Sequence, residues 1–287
     1  MSETDWVYLN GAFLPAHDAQ ISPFDRGFLF AQSVYEVTSV YNGKLIDFEP
    51  HMARLKRSLQ GVEIEMPALS FADLHRDLVA RNQLQEGLVY LQVSAGMHGP
   101  RDFYGPETLT PSVFMFVSHR KLIGDVARDG ITAISQADTR WTRRDYKTTQ
   151  LVSQSLAYRA ARRAGATTAI LHEDGIVTEA ASANLWIVAA SGALVTRDLS
   201  SALLPGITRE RVKALFSDIE LEERAFSLDE IWAAKESFTS STGAMIAPLL
   251  ALDGKPIGTG APGPMTRKVQ AAYYAYIGAD VDVIDWL

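Results

Sequence analysis

The sequence predicts an α+β fold divided between two domains, and two kinds of pattern support this prediction. Asn-Gly and Asp-Gly pairs between alternating apolar residues are typical of β-hairpin turns, and they occur at Asn10-Gly11, Asn42-Gly43 and Asp253-Gly254. Elsewhere apolar residues recur at helical spacing, as in the segment 49–59. Hairpins with interspersed helices indicate an α+β architecture.

Periodicity of the apolar residues predicts each element in order along the chain. Besides the hairpins, strands are expected at 88–94, 113–117, 131–135, 168–171, 185–188 and 236–240. Helices are expected at 49–59, 71–82, 150–163, 208–216, 228–234 and 265–276. The two early hairpins predict an antiparallel sheet near the start of the chain.

A polar stretch near the middle of the chain, at 118–130, is typical of a linker because it contains Gly124 and Asp129-Gly130. The length of 287 residues allows one large domain or two ordinary ones. We therefore expect a small N-terminal domain at 1–120, a linker at 121–130 and a larger C-terminal domain at 131–287.

The composition argues against several classes of function. The net charge is 27 − 34 = −7, which disfavours nucleic-acid partners and binding to an anionic membrane. The chain has no cysteine, so disulfides, a thiolate nucleophile and cysteine-ligated zinc are excluded. The six histidines lack zinc-ligand spacing, and we expect no metal site. Since the sequence has neither a secretory signal nor an apolar run of about 18 residues, we expect a cytoplasmic protein with no membrane partner.

Lys147 is the lysine whose surroundings favour chemistry. It follows the basic and aromatic segment 140–146 and precedes a predicted helix. Neighbouring cations lower the affinity of a lysine for its proton, which favours nucleophilic chemistry by the amine. The alternative is a basic surface loop, and nucleic-acid contact by its arginines is disfavoured by the net charge.

Glu179 and two polar segments are further candidates. Glu179 stands between a turn and a run of small residues that permit close approach of a flat ligand, but a water-facing glutamate is the alternative. The segment 204–209 leads into a predicted helix, whose first N–H groups attract an anion unless they serve only in ordinary capping. The segment 239–243 offers four hydroxyl groups and a glycine, or forms only a polar loop.

Together these features match the needs of pyridoxal phosphate. A lysine forms its Schiff base, and a carboxylate keeps its pyridine nitrogen protonated. Helix-terminal N–H groups, hydroxyls and an arginine bind its phosphate. A serine hydrolase is disfavoured, because the chain contains no Gly-x-Ser-x-Gly sequence.

Spaced motifs over nearly the whole chain resemble one enzyme family. They are Asp25-Arg26-Gly27, Val34-Tyr35-Glu36-Val37, Val40-Tyr41-Asn42-Gly43 and Tyr90-Leu91-Gln92-Val93-Ser94. By these motifs the chain resembles the class IV aminotransferases, which are fold-type IV pyridoxal-phosphate enzymes, and most closely the D-amino acid transaminases. The resemblance implies a small N-terminal α+β domain, a larger C-terminal domain with a mixed, β-barrel-like sheet, a cleft between them, and a homodimer.

The resemblance also assigns the cofactor-binding residues. Lys147, in Arg-Trp-x-Arg-x-Asp-x-Lys, matches the catalytic Schiff-base lysine, and Glu179, in Thr-Glu-x-x-x-x-Asn, matches the partner of the pyridine nitrogen. Arg54 matches the phosphate-binding arginine. The other matches are residues that contact the phosphate or the ring: Leu204, Ile207, Thr208, Ser241 and Thr242.

Substrate-binding residues follow from the same resemblance. Tyr35 matches an active-site tyrosine of the D-amino acid enzymes, in which an Arg-x-His element from the neighbouring subunit holds the substrate carboxylate. Arg101 fits that arginine after a one-residue length difference, and Phe103 stands where the histidine is expected. His98 is a candidate to replace the missing histidine. The lower polarity of Phe103 favours tolerance toward apolar R-amines.

We therefore expect transamination between a D-amino acid of the D-alanine or D-glutamate type and a 2-oxo acid, with R-amines as further candidate substrates. Alternatives in the same fold are a branched-chain aminotransferase, an R-amine aminotransferase and aminodeoxychorismate lyase. The branched-chain enzymes tend to carry Tyr-x-Arg-Pro where this chain has Tyr90-Leu91-Gln92-Val93, which disfavours that alternative. A non-enzymatic ligand-binding homologue is the alternative from another class, and the joint presence of Lys147 and Glu179 weighs against it.

Overall fold

The computed structural model describes residues 5–217 and 219–287, and the chain divides into two units. The first unit comprises Met1–Lys121 and Tyr146–Gln150. The second unit comprises Leu122–Asp145 and Leu151–Leu287. The segment Tyr146–Gln150 therefore belongs to the first unit, although the residues on both sides of it in the sequence belong to the second.

The first unit is built on a six-stranded antiparallel sheet with helices. Its elements are β1 (Trp6–Leu9), β2 (Ala12–Pro15), a 3₁₀ turn (Ala16–Asp18), α1 (Arg26–Phe30), β3 (Ser33–Tyr41), β4 (Lys44–Leu45), α2 (Phe48–Gly61), α3 (Phe71–Arg81), β5 (Glu86–Ser94) and β6 (Ser112–His119). The strands lie in the order β2-β1-β6-β5-β3-β4. The Asn10-Gly11 and Asn42-Gly43 pairs form the predicted hairpin turns, and all four of these residues have positive φ.

The two faces of this sheet have different environments, because side chains alternate along each strand. Val89, Leu91 and Val93 of β5 are buried on one face, in a core that also includes Leu55 and Leu59 of α2. The side chains between them on β5 and on its neighbours point to the other face. That second face carries several of the aromatic and polar side chains of the candidate site.

The second unit contains a nine-stranded mixed sheet. Its elements are α4 (Asp125–Asp129), β7 (Ile131–Ala137), α5 (Val152–Arg163), β8 (Thr168–Glu173), β9 (Ile176–Ala180), β10 (Asn184–Val188), β11 (Leu194–Thr196), α6 (Ile207–Leu215), β12 (Leu221–Glu223), α7 (Leu228–Ala233), β13 (Glu236–Ser241), β14 (Met245–Leu252), β15 (Lys255–Pro256), α8 (Pro264–Tyr276) and a 3₁₀ turn (Val281–Val283). The strands lie in the order β12-β11-β10-β13-β14-β7-β8-β9, with β15 paired to β14 across the predicted Asp253-Gly254 turn.

This second sheet curls back on itself. The β11–β12, β14–β7 and β7–β8 pairs are parallel, and the other pairs are antiparallel. β9 lies at one end of the strand order, yet the chain turns directly from β9 into β10, where the Ala180 N–H donates to the carbonyl of Ala183 over 2.8 Å. The curled mixed sheet confirms the α+β class and agrees with the barrel-like sheet implied by the resemblance.

The six predicted helices correspond to α2, α3 and α5–α8. The elements that the sequence did not predict are short, such as α1, β11 and β12. The expected linker at 121–130 contains helix α4, and from Leu122 onward it belongs to the second unit, with Leu122 and Ile123 buried. The longest helix, α2, has 14 residues. In the described parts of the chain, no helix has the length and apolar character needed to cross a membrane.

Helix α8 begins at a cap supplied from a distant strand. The carboxylate of Glu236, at the start of β13, accepts hydrogen bonds from the backbone N–H groups of Met265 (2.9 Å) and Thr266 (2.7 Å). It also accepts a bond from the Thr266 hydroxyl over 2.8 Å. Gly263 precedes the helix, and a Cβ at that position would lie 2.1 Å from the Glu236 carboxyl carbon. Glu236 therefore satisfies N–H groups that a helix start otherwise leaves without partners.

We expect Glu236→Ala to lower the free energy of unfolding by about 1–2 kcal/mol, the usual cost of losing a helix N-cap. Thermal and urea unfolding followed by circular dichroism would measure the change. Glu65→Ala, which removes an exposed carboxylate, is the control and should leave stability unchanged. Equal effects of the two substitutions would contradict the capping role of Glu236.

Candidate functional site

The candidate residues fall into two groups, one in each unit. The first unit contains Tyr35, Arg54, Lys147 and the loop after β5 with His98, Arg101 and Phe103. The second unit contains Glu179, Leu204, Ile207, Thr208, Ser241 and Thr242.

Lys147 is held against strand β3 and helix α2 by its backbone. Its carbonyl accepts the Tyr35 N–H over 2.9 Å, and its own N–H donates to the Ser58 hydroxyl over 3.1 Å. The next residue, Thr148, forms a β-bridge with Val34. The half-buried side chain places Nζ 4.2 Å from the centroid of the Tyr35 ring, which is a cation–π contact. The half-buried side chain and this contact distinguish Lys147 from the exposed Arg143 of the same irregular segment.

The Tyr35 ring belongs to a row of stacked aromatic side chains. It stacks on Tyr90 with 5.5 Å between ring centroids, and Tyr90 stacks on Phe116 at 4.7 Å. The Tyr90 hydroxyl donates to the Gln92 side chain over 2.8 Å. These neighbours are on adjacent strands of one sheet face, so they restrict the rotamers of Tyr35 and define the wall beside Lys147.

Arg54 is buried on α2, and a carboxylate from β3 holds its guanidinium. Nε and Nη2 of Arg54 donate to the two carboxylate oxygens of Glu36, each over 2.8 Å. The same carboxylate contacts Nδ1 of His51, also at 2.8 Å. Glu36 is completely buried, and Arg54 and His51 are nearly so. Glu36 thus fixes the orientation of Arg54, the phosphate-binding candidate, by binding the Nε and Nη2 edge of its guanidinium.

The charges of this cluster follow from its contacts. The Arg54 guanidinium and the His51 ring outweigh the cost of burial and lower the pKa of Glu36 to about 2. Burial lowers the pKa of His51, so the ring is neutral near pH 7. Because an ionised carboxylate can only accept, Nδ1 of the neutral His51 carries the hydrogen and donates to Glu36. The cluster therefore contains one bidentate ion pair and a neutral histidine.

The loop between β5 and β6 brings together two of its three candidates. The Arg101 guanidinium lies 4.5 Å from the centroid of the Phe103 ring and 5.2 Å from that of Phe30. Arg101 itself is exposed, and Phe103 is 70% exposed. His98 lies earlier in the same loop and is half-buried. The loop thus displays a cation beside aromatic rings.

In the second unit, Glu179 is buried among hydrogen-bond donors. Its carboxylate accepts from Nη1 of Arg140 over 2.5 Å and from the Asn184 amide over 3.1 Å. The Leu204 N–H lies 3.3 Å from both carboxylate oxygens. Glu179 is only 4% exposed, so the alternative of a water-facing glutamate is wrong.

Arg140 controls the charge of Glu179. Its guanidinium also binds Asp138, with Nη2 and Nε at 2.7 and 3.0 Å from the two carboxylate oxygens, and Thr178 donates to Asp138 over 2.7 Å. Burial raises the pKa of Glu179, and the positive charge of Arg140 opposes this rise. The ionised form of Glu179 therefore depends on Arg140 more than on any other neighbour.

The start of helix α6 has the form of an anion site. Gly206 is its N-cap residue and supplies no side-chain cap, which leaves the first N–H groups, at Ile207 and Thr208, available to a ligand. The Asn184 amide donates to the Leu204 carbonyl over 2.9 Å and packs so tightly that a Cβ at Gly206 would lie 2.0 Å from the Asn184 side-chain oxygen. Only glycine at position 206 therefore leaves room for the Asn184 side chain beside the start of α6.

The second hydroxyl segment lies on an element next to α6. Ser241 ends β13, a strand that packs against α6, and Thr242 follows in the turn to β14. The Ser241 hydroxyl accepts the Ala244 N–H over 3.2 Å, which shapes this turn. Thr208 is buried, whereas Ser241 and Thr242 are half-buried. Within the second unit, the two proposed phosphate segments thus come from neighbouring elements.

Sequence reasoning missed three of the residues that organise these groups. Glu36 stood out only as part of a family motif, Arg140 only as part of a basic stretch, and Asp138 not at all. Their importance arises from partners that are distant in sequence, since Glu36 contacts Arg54 and Arg140 contacts Glu179. A pattern within one segment carries no such signal.

The donor set fits pyridoxal phosphate. An amine is fixed beside an aromatic ring at Lys147, and a buried carboxylate at Glu179 can face a protonated ring nitrogen. The uncapped start of α6 supplies N–H groups for the phosphate, next to a glycine that tolerates no side chain. In the described residues, no group of three or more histidine, aspartate or glutamate side chains is arranged to hold a metal ion.

Comparisons with solved structures agree with this fold. The branched-chain amino acid aminotransferase of Escherichia coli superposes with a TM-score of 0.87 and is 26% identical, covering 96% of this chain and 95% of that chain. The T.th. branched-chain amino acid aminotransferase, solved with pyridoxamine 5'-phosphate, gives a TM-score of 0.86 at 23% identity, covering 100% of this chain and 98% of the other.

Comparisons of sequence are more specific. The D-alanine aminotransferase of Bacillus licheniformis is 36% identical over 271 residues, which are 93% of this chain and 95% of that protein. The D-alanine aminotransferase of Staphylococcus aureus (strain MSSA476) is 32% identical over 275 residues, or 94% and 97% of the two chains. The family model of amino-transferase class IV matches residues 33–252. The chain therefore belongs to the class IV aminotransferase family.

Proposed function

We propose that this aminotransferase uses pyridoxal phosphate to transfer an amino group between a D-amino acid and a 2-oxo acid. The observation that carries the choice of substrate is the similarity to D-alanine aminotransferases, which extends over more than nine-tenths of the chain. The two branched-chain enzymes compared above are less similar in sequence, at 26% and 23% identity. They support the cofactor, because one of them was solved with pyridoxamine 5'-phosphate.

Lys147 holds the cofactor through its amine and moves the reacting proton. When bound, pyridoxal phosphate supplies an electron sink for the substrate carbon that loses its proton. With the cofactor bound, the amino group of the substrate would displace Nζ of Lys147 from it. The freed Nζ would then take the proton from the α-carbon of the substrate and deliver it to the carbon that it had been joined to. The backbone bonds to Tyr35 and Ser58 fix the main chain from which the amine extends, and the Tyr35 ring lies beside Nζ.

Glu179 keeps the pyridine nitrogen protonated, and Arg140 keeps Glu179 ionised. A protonated ring attracts electrons more strongly. The Glu179 carboxylate therefore strengthens the electron sink, although it faces the ring nitrogen and not the reacting carbon. The phosphate is bound by Arg54, by the N–H groups of Ile207 and Thr208, and by the hydroxyls of Thr208, Ser241 and Thr242. Leu204 packs against the cofactor ring.

Arg101 binds the substrate carboxylate, and Tyr35 lies beside Nζ of Lys147. A guanidinium is a good bidentate partner for a carboxylate. Phe103 and His98 border this region, and the apolar Phe103 admits R-amines as secondary substrates. The resemblance assigns the arginine loop to the neighbouring subunit, and we therefore also propose a homodimer.

Replacement of Lys147 by alanine should abolish turnover, because no other amine replaces its proton transfers. Transamination between D-alanine and 2-oxoglutarate, coupled to detection of pyruvate, would measure the loss. Lys44→Ala, at an exposed hairpin turn, is the control and should retain full activity. Substantial activity in the Lys147 variant would refute the assignment.

Replacement of Arg140 by glutamine should raise the pKa of Glu179 further, because it removes the charge that opposes the effect of burial. Glu179 is ionised only above its pKa, so the acid limb of the pH profile of kcat/KM should move to higher pH. Arg143→Gln is the matched control, since Arg143 is partly exposed and binds Asp145. The same pH profile in both variants would contradict this role of Arg140.

Spectroscopy of the cofactor-loaded protein tests the choice of substrate. Addition of D-alanine should bleach the visible absorbance of the bound cofactor, whereas L-leucine in a parallel sample should leave it unchanged. A response to L-leucine alone would move the protein to the branched-chain group. No response to either would favour an R-amine aminotransferase, aminodeoxychorismate lyase or a binding protein without activity.

A further inference from the structure

Arg101 is exposed on the loop between β5 and β6, few of whose residues belong to regular structure. The loop spans residues 95–111, and the side chains of Phe103 and Tyr104 near its tip are 70% and 95% exposed. A loop with such exposed side chains needs an internal contact to hold one conformation. Its backbone supplies that contact.

Arg26, at the start of α1, lies under the loop and holds it through backbone carbonyls. The residue is only 8% exposed, and its Nη1 and Nη2 donate to the carbonyls of Asp102 (2.7 Å) and Phe103 (3.2 Å). Nε donates to the Gln32 side chain over 2.6 Å, and Gln32 in turn donates to the Val62 carbonyl over 3.2 Å. These acceptors are uncharged, so the guanidinium serves as a rigid fork of donors.

Two further contacts tie Arg26 to the same loop. The Arg26 N–H donates to the Gly96 carbonyl over 2.9 Å, at the beginning of the loop. Gly105 has a φ of +63°, and a Cβ there would lie 3.1 Å from Nη1 of Arg26. The backbone near Gly105 thus approaches the guanidinium more closely than a side chain would allow without adjustment.

Arg26 and Arg101 also share an aromatic neighbour. The Arg26 guanidinium lies 4.6 Å from the centroid of the Phe30 ring, and the Arg101 guanidinium lies 5.2 Å from it. Phe30 in turn contacts Phe103, with 5.4 Å between ring centroids. The buried arginine, the exposed arginine and the two rings therefore form one packed group, defined here as the Arg26 cluster (Arg26, Phe30, Arg101 and Phe103).

We propose that Arg26 is a positioning residue for substrate binding, which holds the loop so that Arg101 is presented to the substrate carboxylate. The inference rests on the proposed role of Arg101. Arg26 does not touch the substrate itself, because it acts through the carbonyls of Asp102 and Phe103, the two residues that follow Arg101. Its loss should weaken the binding of both carboxylate-bearing substrates and leave the cofactor residues unaffected.

The first test perturbs the contact from the side of the loop. Gly105→Ala introduces a Cβ against Arg26 at a backbone position with φ of +63°, so it also strains the loop backbone. Gly99→Ala is the control for adding a Cβ to the same loop, because nothing lies within 4 Å of a Cβ there. The two Arg26 variants are the control for backbone strain, because they leave Gly105 unchanged. Arg26→Lys keeps the positive charge but not the planar set of guanidinium donors. Arg26→Gln removes both. All four variants are prepared as cofactor-loaded full-length protein.

Two readouts are measured for each variant. The first is the KM for D-alanine and for 2-oxoglutarate, which should rise about tenfold in the Gly105 and Arg26 variants, as expected for lost charge-assisted hydrogen bonds, while kcat and cofactor affinity change little. The second is the rate of cleavage by chymotrypsin after Phe103 and Tyr104, identified by fragment mass, which should rise in the same variants. Gly99→Ala should match the wild-type protein in both.

Specific results would overturn the proposal. Cleavage of the Gly105 and Arg26 variants at the rate of Gly99→Ala would refute the holding role of Arg26. Faster cleavage with an unchanged KM would refute the link to substrate binding, and an equal fall in kcat and cofactor affinity would indicate a merely structural role. A failure of the proposed function is distinguishable, because it appears as an inactive wild-type protein while the cleavage readout still reports on the loop.

Discussion

An ionised carboxylate can be buried in a protein only if a cation and hydrogen-bond donors accompany it, and each unit contains a glutamate that meets this constraint. Glu36 is fully buried between Arg54 and His51, and Glu179 is buried between Arg140, Asn184 and the Leu204 backbone. Removing one partner of such a group leaves an uncompensated charge. The hydrogen bonds that prevent this also fix the rotamers of the partners. The elements that carry them are consequently fixed as well: β3 with α2 in the first unit, and β9 with the segment before α6 in the second.

The fold was largely predictable because its main elements have strong local signals. Asn42-Gly43 requires positive φ at both positions, and the hairpin that it predicts is present. Long amphipathic helices such as α2 have enough turns for their period to be recognised. The short elements had no such signal: α4 occupies only five residues within a polar stretch, and its place is set by burial of the neighbouring Leu122 and Ile123. The strand order could not be predicted either, since it depends on pairings between distant segments.

The candidate site was predictable only in part, and the reason is again sequence distance. Lys147, Glu179 and the start of α6 stand in recognisable local settings, and the structure gives the buried or fixed environments that their chemistry requires. The residues that orient or charge-balance the candidates have no such local setting. Arg140 binds Glu179, 39 positions away, and Glu36 binds Arg54, 18 positions away. Their roles appear only when folding brings those positions within hydrogen-bond distance.

The assignment of Tyr146–Gln150 to the first unit has a consequence for modular engineering. A chain divided between Lys121 and Leu122 would separate most of the two units but would remove Lys147 from β3, whose Tyr35 N–H donates to the Lys147 carbonyl. Exchange of one unit between homologous enzymes would likewise create a chimera whose lysine comes from one parent and whose supporting β3 strand comes from the other. Recombination that keeps each unit intact therefore needs three crossovers. One lies between Lys121 and Leu122, and the other two flank Tyr146–Gln150. Lys147 and the β3 strand that binds its backbone then come from the same parent.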